Sequence, residues 1–331
     1  MANLLTAAQL KQFREQGYAV AEDVFDPESD FAALKRDYSD ILDDVAASML
    51  NCGTIQSYAR HDPFSERLIN LVEQAGDLPM QPFDISLPQR PITADTPMYL
   101  GAAAFNLLTH PSLIDLVEQL IGPEVYSNPV QHIRMKVPTL QHQAADAREV
   151  GRTTPWHQDN GVVTEEADGS EILTVWVPVT DASVESGCLH IVPGAHKRGM
   201  VNHCPGFSSP DRGSPGLRIP DELVPEHAAI PVPLRAGSAL FLTRHTMHCS
   251  GVNTTDTIRW SFDLRYQPPG QPTGRSEFPG FVVRSKSDPS SVLADHREWA
   301  NLWDRARAQM LKADPTTLRF NRWNADAPWC A

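Results

Sequence analysis

The chain has 331 residues, of which 41% are apolar and 21% charged, a balance that supports a substantial core and excludes a disordered polymer. Its formal net charge of −13 argues against a general nucleic-acid or anionic-membrane surface, because both require clustered Lys and Arg. No run approaches the roughly 18 apolar residues of a membrane span, and MANLLTAAQLKQFREQG lacks the basic-then-apolar order of a signal peptide. A cytoplasmic protein with neither membrane nor nucleic-acid partner is the expectation, and nothing in the sequence reads on oligomeric state.

In chain order, Thr6 and Gln9 form a capping-box pair, and a short helix follows until Gly17. YAVAEDVF alternates as a strand does, with Pro27 starting the next connection. Residues 30–47 and 64–75 carry apolar side chains at helical spacing. The segment from Gln81 to Pro97 is a proline-rich loop. Pro111, Leu113, Leu116, Val117, Leu120 and the stop at Gly122 mark another helix.

After Pro123 the chain changes to short runs broken by Pro, Gly and Asn: VQHIRMKV, TPWHQD, ILTVWVPV, CLHIVPG, SALFLTRH and TIRWSFDLRY. Short strands bounded by turn residues, without helix-length segments between them, predict a sandwich or jelly roll. The connection Lys197–Pro231 is long enough to be a functional lid. Helix returns at Asp295–Leu311, and the tryptophan-rich end reads as core or edge packing. Five cysteines, at 52, 188, 204, 249 and 330, show no regular spacing. They are expected to be buried thiols in a reducing compartment.

Within TTPWHQDNG, His157 and Asp159 lie two residues apart in an extended segment, so their side chains share one face. An imidazole and a carboxylate on one face are two-thirds of the 2-His-1-carboxylate triad that holds non-haem iron and leaves positions open. His248, 89 positions beyond Asp159, supplies the third ligand, and Arg259 follows eleven residues later. His245 lies three residues from His248 and faces the other way on a strand. His190, His196 and His203 lack zinc-ligand spacing and read as surface or loop residues.

The ordered set His157, Asp159, His248 and Arg259 resembles the phytanoyl-CoA dioxygenase-like family of Fe(II)/2-oxoglutarate-dependent dioxygenases. The resemblance covers essentially the full length and is strongest over 130–266. It implies a mainly β fold with flanking α-helices: a double-stranded β-helix (jelly roll, cupin-like) core of about eight strands. A single domain over 1–331 is expected, with a helical part at 1–123, the core at 124–268 and a helical extension at 269–331. The implied cofactors are Fe(II), 2-oxoglutarate and O2, and the implied reaction is hydroxylation of a C–H in a small-molecule substrate, with release of succinate and CO2.

Arg259 stands in the family's position for the distal carboxylate of 2-oxoglutarate, which a guanidinium holds by a bidentate charge-assisted pair. Ser250 matches the hydroxyl that joins it. Trp176 matches a cofactor-pocket position and reads equally as core. His132 aligns with a 2-oxoglutarate-contacting position. Arg134 and Lys136, on the same face of VQHIRMKV, read equally as solvent-facing charge. Arg265 shares Arg259's strand face and is assigned to an anionic substrate group. Because Asp159 is present where related halogenases carry Gly or Ala, hydroxylation is expected over halogenation. Two other readings remain: a non-catalytic cupin-like metal-binding or sensing module, which has no use for Arg259 and Ser250, and a zinc hydrolase, for which no HExxH pattern is found.

Overall fold

A computed structural model describes residues 4–89, 92–139, 153–207, 216–314, 317–320 and 322–330. The N-terminal part contains α1 (Ala7–Gln16), β1 (Tyr18–Ala21), α2 (Ala32–Asn51), α3 (Phe64–Ala75), α4 (Ala102–Leu108) and α5 (Pro111–Ile121). The capping box at Thr6 forms as the sequence predicts, and Gly17 closes α1 in the left-handed conformation. YAVAEDVF stays a strand only through Ala21, and Asp23 turns the chain out at φ 54°. Helix α4 leaves no helical signal in the sequence, because seven residues are too few to establish a period.

The strands that follow are β2 (Val125–Ser127), β3 (His132–Lys136), β4 (Leu173–Pro178), β5 (Leu189–Ile191), β6 (Cys204–Phe207), β7 (Gly216–Arg218), β8 (Ile230–Val232), β9 (Ala239–Thr243), β10 (His248–Ser250), β11 (Arg259–Gln267) and β12 (Phe281–Arg284). Helix α6 (His296–Met310), capped by Asp295, is the predicted C-terminal helix. Among the described residues, a seven-stranded antiparallel sheet runs β1-β9-β4-β11-β2-β12 with β3 also on β11, and a three-stranded sheet runs β10-β5-β8. The predicted long connection at 197–231 contains the β6–β7 hairpin and the start of β8, and its residues 208–215 lie outside the described ones.

Strand alternation explains how the large sheet serves two purposes. On β11, Trp260, Phe262, Leu264 and Tyr266 join the main core, where Tyr38 of α2 packs on Trp260 and Phe262 at ring distances of 5.0 and 6.2 Å. Burying four large side chains at about 1.5–3 kcal/mol each anchors this face to the helices. The intervening Arg259, Ser261, Asp263 and Arg265 therefore point the other way, between the two sheets. The same alternation turns Ile133 and Met135 of β3 and Val175 and Val177 of β4 to the helices. It leaves His132, Arg134, Lys136, Thr174 and Trp176 on the inter-sheet side.

Candidate metal centre and anion pocket

His157 and His248 form an antiparallel bridge with both backbone hydrogen bonds made, N–H to O distances being 3.0 Å in each direction. Residues directly opposite in such a pair present their side chains on one face, and the imidazole centroids lie 4.1 Å apart. Each ring donates its Nδ1–H to the carbonyl two residues earlier, His157 to Pro155 at 2.9 Å and His248 to Thr246 at 3.0 Å. That arrangement fixes the tautomer and leaves both Nε2 lone pairs free. Extended backbone at Gln158 carries Asp159 to the same face as the start of a 3-10 turn, Asp159–Val162. Its Oδ1 lies 3.8 Å from His157 Nε2 and its Oδ2 lies 3.8 Å from His248 Nε2.

The three ligand atoms fall within 4.8 Å of one another and are buried. Burial, then the neighbouring His248, pushes the His157 imidazole down to about 3, so it is the neutral form that binds metal. Burial by itself would raise the Asp159 carboxyl, but Arg265, then His248 and His157, outweigh it and hold the group well below the usual carboxylate range. Two neutral imidazoles and an ionised carboxylate converging on one point fit a ferrous ion.

The segment between the ligands is held by contacts the sequence did not reveal. Gln158, fully buried, donates through Nε2 to the carbonyls of Gly199 and His245 at 2.8 Å each, accepts from Val201 N–H, and sends its own N–H to His203 Nε2 at 2.9 Å. His203 is thus buried beside the centre and is not a surface residue, a correction. Burial lowers it to about 4, and Gly161 packs so closely that a Cβ there would lie 2.5 Å from His203 Nε2. Trp323 stacks on His203 at 5.1 Å and donates its indole N–H to Gly161 O at 2.6 Å. Arg322 reaches the carbonyls of Asn160, Val163 and Thr164 and the Asp168 carboxylate.

The C-terminal stretch therefore lies on the metal-bearing loop, and Cys204 is disulfide-bonded to Cys330. The expectation that all five cysteines are thiols is corrected for this pair; Cys52, Cys188 and Cys249 remain free. The partners are 126 residues apart, and no local spacing signals such a pairing. Arg265 is also reassigned. It does lie on Arg259's face, but its guanidinium pairs with Asp159 and with Val130 O, while Thr174 Oγ1 bonds the second Asp159 oxygen at 2.5 Å. Its charge is engaged in orienting the ligand carboxylate and not in meeting an anionic substrate.

The other end of the pocket is cationic. Arg259, 2% exposed, donates to Ser261 Oγ at 2.5 Å, lies 5.5 Å over the Trp176 ring, and has an unpartnered buried Nε. Burial lowers it to about 10. Trp176 is buried in the core cluster of the smaller sheet, with the Arg259 guanidinium over its ring. Lys136 was a candidate for solvent-facing charge, yet it is 2% exposed and bonds Ser250 Oγ at 2.9 Å and Gly251 O. Arg134, with its side chain 45% exposed, does face solvent and pairs with Asp263 at 3.3 Å. His132 sits against Asp84 at 2.9 Å, four residues from Lys136 on the same strand face.

Arg259 and Lys136 are direct cross-strand partners, so their Cβ atoms stand about 5 Å apart. Burial, then the opposing guanidinium of Arg259, lowers Lys136 to about 6, so only an added anion would let both carry charge, and Asp263, the acid on this face of β11, is engaged by Arg134. The pocket end thus fits an anionic ligand such as a carboxylate. The donor set at one end and the Arg259 guanidinium with its neighbouring lysine at the other suit a ferrous ion and a 2-oxo dicarboxylate.

Comparison with known proteins agrees with this geometry. A family model described as phytanoyl-CoA dioxygenase (PhyH) matches residues 13–261. Phytanoyl-CoA dioxygenase domain-containing protein 1 of Mus musculus is 24% identical over 302 residues, covering 83% of this chain and 98% of the mouse protein. Among solved structures, the apo non-heme monooxygenase ThoJ superposes with a TM-score of 0.53 at 19% identity, over 92% of this chain and 99% of ThoJ. EvdO2 from Micromonospora carbonacea var. aurantiaca, complexed with 2-oxoglutarate, gives 0.52 at 21% identity, over 89% and 99% of the two chains. These structures share the jelly-roll architecture. Among the described residues no helix is long and apolar enough to cross a membrane.

Proposed function

Because the chain belongs to the phytanoyl-CoA dioxygenase family, and is thus an Fe(II)- and 2-oxoglutarate-dependent dioxygenase of small molecules, we propose that it hydroxylates an unactivated C–H. In this reading His157, Asp159 and His248 hold the iron, while Arg259 and Ser250 anchor 2-oxoglutarate against Trp176. The observation that carries it is the convergent set of two imidazoles and one carboxylate facing the same inter-sheet space as the buried Arg259. When bound, the iron supplies O2-dependent oxidation of the substrate, coupled to conversion of 2-oxoglutarate into succinate and CO2.

The chain's own residues do the positioning. The backbone carbonyls of Pro155 and Thr246 orient the imidazoles, and Arg265 with Thr174 orients the carboxylate. Helix-backed β11 holds Arg259 on a rigid ladder, so a dicarboxylate gripped there meets the metal in one orientation. His132, tied to Asp84, lies farther along β3 and lines the approach to this ligand. A metal-binding module without cosubstrate has no use for the buried guanidinium, which argues against that alternative. A single domain over residues 1–331, acting without nucleic acid, is part of the same proposal.

A cytoplasmic setting is part of the proposal; the Cys204–Cys330 disulfide is the feature that counts against it, because a reducing compartment keeps thiols reduced. Peptide mapping without reductant, in which a linked 204–330 peptide is expected from oxidising preparations, measures its state. The function itself is tested by anaerobic addition of Fe(II) and 2-oxoglutarate, watching for the weak visible charge-transfer band of the chelate. The band is expected in wild type and weakened in Arg259→Ala; bound iron with no band in wild type would overturn the reading.

A further inference from the structure

We propose that the Cys204–Cys330 disulfide is a redox latch on the metal centre. Closed, it holds the C-terminal stretch as a clamp on the loop that carries Asp159; its reduction by a dithiol loosens that loop and lowers affinity for iron. The inference rests on the metal-centre reading above and adds to it a regulation that the oxidation chemistry does not itself require.

Three observations carry it. The stretch beyond α6 grips the loop almost residue by residue: Arg322 donates to the carbonyls of Asn160, Val163 and Thr164, and Trp323 donates to Gly161 O. Phe320 lies against Arg275, whose guanidinium holds Val162 O at 2.7 Å. Asp159 opens this turn, so the clamp closes on the segment immediately after a ligand. The bond then joins the far end of the stretch to the neighbour of His203, whose Nε2 accepts the N–H of Gln158 at 2.9 Å, on the other side of Asp159. One half of the bond thus reaches the loop through His203 and the other through Trp323, and these two rings stack at 5.1 Å.

The third observation is access. Cys204 is 6% exposed, whereas Cys330 is only half-buried. A thiolate of the dithiol attacks Cys330 Sγ and expels Cys204 as its thiolate; the second thiol of the reductant then displaces Cys330, leaving two protein thiols and a disulfide in the reductant. With the bond open the stretch is tethered at α6 alone, and docking it carries an ordering cost that the closed bond removes. Iron loading then follows the thiol poise of the surroundings.

A bond that only stabilises the fold makes a different prediction: reduction lowers the unfolding midpoint and leaves iron affinity and the loop unchanged. Wild type is oxidised with glutathione disulfide, and half is reduced with dithiothreitol and desalted anaerobically, with peptide mapping to confirm each state. Both forms, and Cys330→Ser after the same two treatments, are titrated with Fe(II) against a competing chelator. Hydrogen exchange of residues 158–165 is followed without metal.

Reduced wild type is expected to bind iron about 10- to 100-fold more weakly than oxidised, the range for contacts that orient metal ligands from outside, and reoxidation should restore it. Cys330→Ser should match the reduced form and ignore dithiothreitol. Amides of 158–165 should exchange faster in the reduced form while those of β11 do not change. Equal iron affinity and equal exchange in the two forms would overturn the proposal, as would a chain in which oxidation yields no 204–330 link. If Cys330→Ser does not fold, the two forms of wild type decide. Iron bound by neither form would remove the metal-centre reading, and exchange alone would then judge the latch. Iron bound without a 2-oxoglutarate chelate would remove the cosubstrate reading and leave the latch standing.

Discussion

The metal end and the anion end of this pocket are built in different ways. At the anion end, Arg259 and Lys136 lie within paired strands, and four large side chains on the opposite face of β11 fix them against the helices. At the metal end only His248 belongs to a regular strand; His157 sits in an isolated bridge and Asp159 opens a 3-10 turn. That segment takes its shape from contacts made far away in sequence: its Gln158 reaches Gly199, Val201 and His245, and His203, Arg265, and Arg322 and Trp323 of the C-terminal stretch reach back to it. Ladder hydrogen bonds make the first region insensitive to distant change. Dependence on remote side chains exposes the second to it.

Breaking the metal end outright should give the largest effect. Asp159→Ala removes a ligand and strands Arg265 as a buried cation, so iron titration should show binding lost. Thermal or urea unfolding should show destabilisation of about 3–5 kcal/mol. An unchanged unfolding midpoint would mean that Arg265 finds another partner. Arg259→Ala tests the other end: 2-oxoglutarate affinity should fall by about 30-fold or more, the cost of leaving one partner of a buried charged pair, while iron affinity stays within twofold. Loss of iron as well would show that the two ends are not separable.

A smaller effect sharpens the same contrast from outside the pocket. Trp323→Phe keeps the stack on His203 but deletes the indole donor to Gly161 O. Outer contacts that orient ligands typically carry 10- to 100-fold in metal affinity. As a single hydrogen bond to the loop rather than to a ligand, this one should weaken iron by about tenfold at most. Affinity of the iron-loaded protein for 2-oxoglutarate should not move. Weaker 2-oxoglutarate binding with unaltered iron would place the C-terminal stretch on the wrong end.

The contrast also explains what could be read from the sequence. His157 and Asp159 were legible because an i, i+2 pair in extended chain shares a face whatever surrounds it. Arg259 and Ser250 were singled out through their place relative to His248 and the family resemblance, and the short-strand pattern narrowed the core to a sandwich or jelly roll, between which the resemblance chose. Lys136 was ambiguous because alternation names a face without saying what covers it, and its partner Arg259 enters from β11, more than a hundred residues on. Arg265 was placed on the correct face but given the wrong partner, since only the fold brings Asp159 beneath it. His203, Trp323 and the Cys204–Cys330 pair carried no local signal, because each acquires its role through a contact made across the folded chain.

The smallest predicted effect concerns the titration of the anion end itself. Burial, then Arg259, lowers Lys136 to about 6, whereas an unfolded lysine titrates near 10.4. Between those values the unfolded chain binds the extra proton and the folded protein does not, so stability of the ligand-free protein rises with pH across that window. Below about 6 both states are protonated and the contribution levels off. Groups facing the ammonium are Arg259 and Arg134, which oppose its charge, and the thiols of Cys188 and Cys249, which favour it once ionised. Urea unfolding at pH 6.5 and 8.5 should therefore show a more positive pH slope in wild type than in Lys136→Met, by less than about 1.4 kcal/mol per unit, the limit for one proton. Identical slopes would mean that Lys136 keeps its charge in the empty pocket. The 2-oxoglutarate affinity would then be independent of its protonation, and the repulsion with Arg259 would have to be relieved by an anion already present.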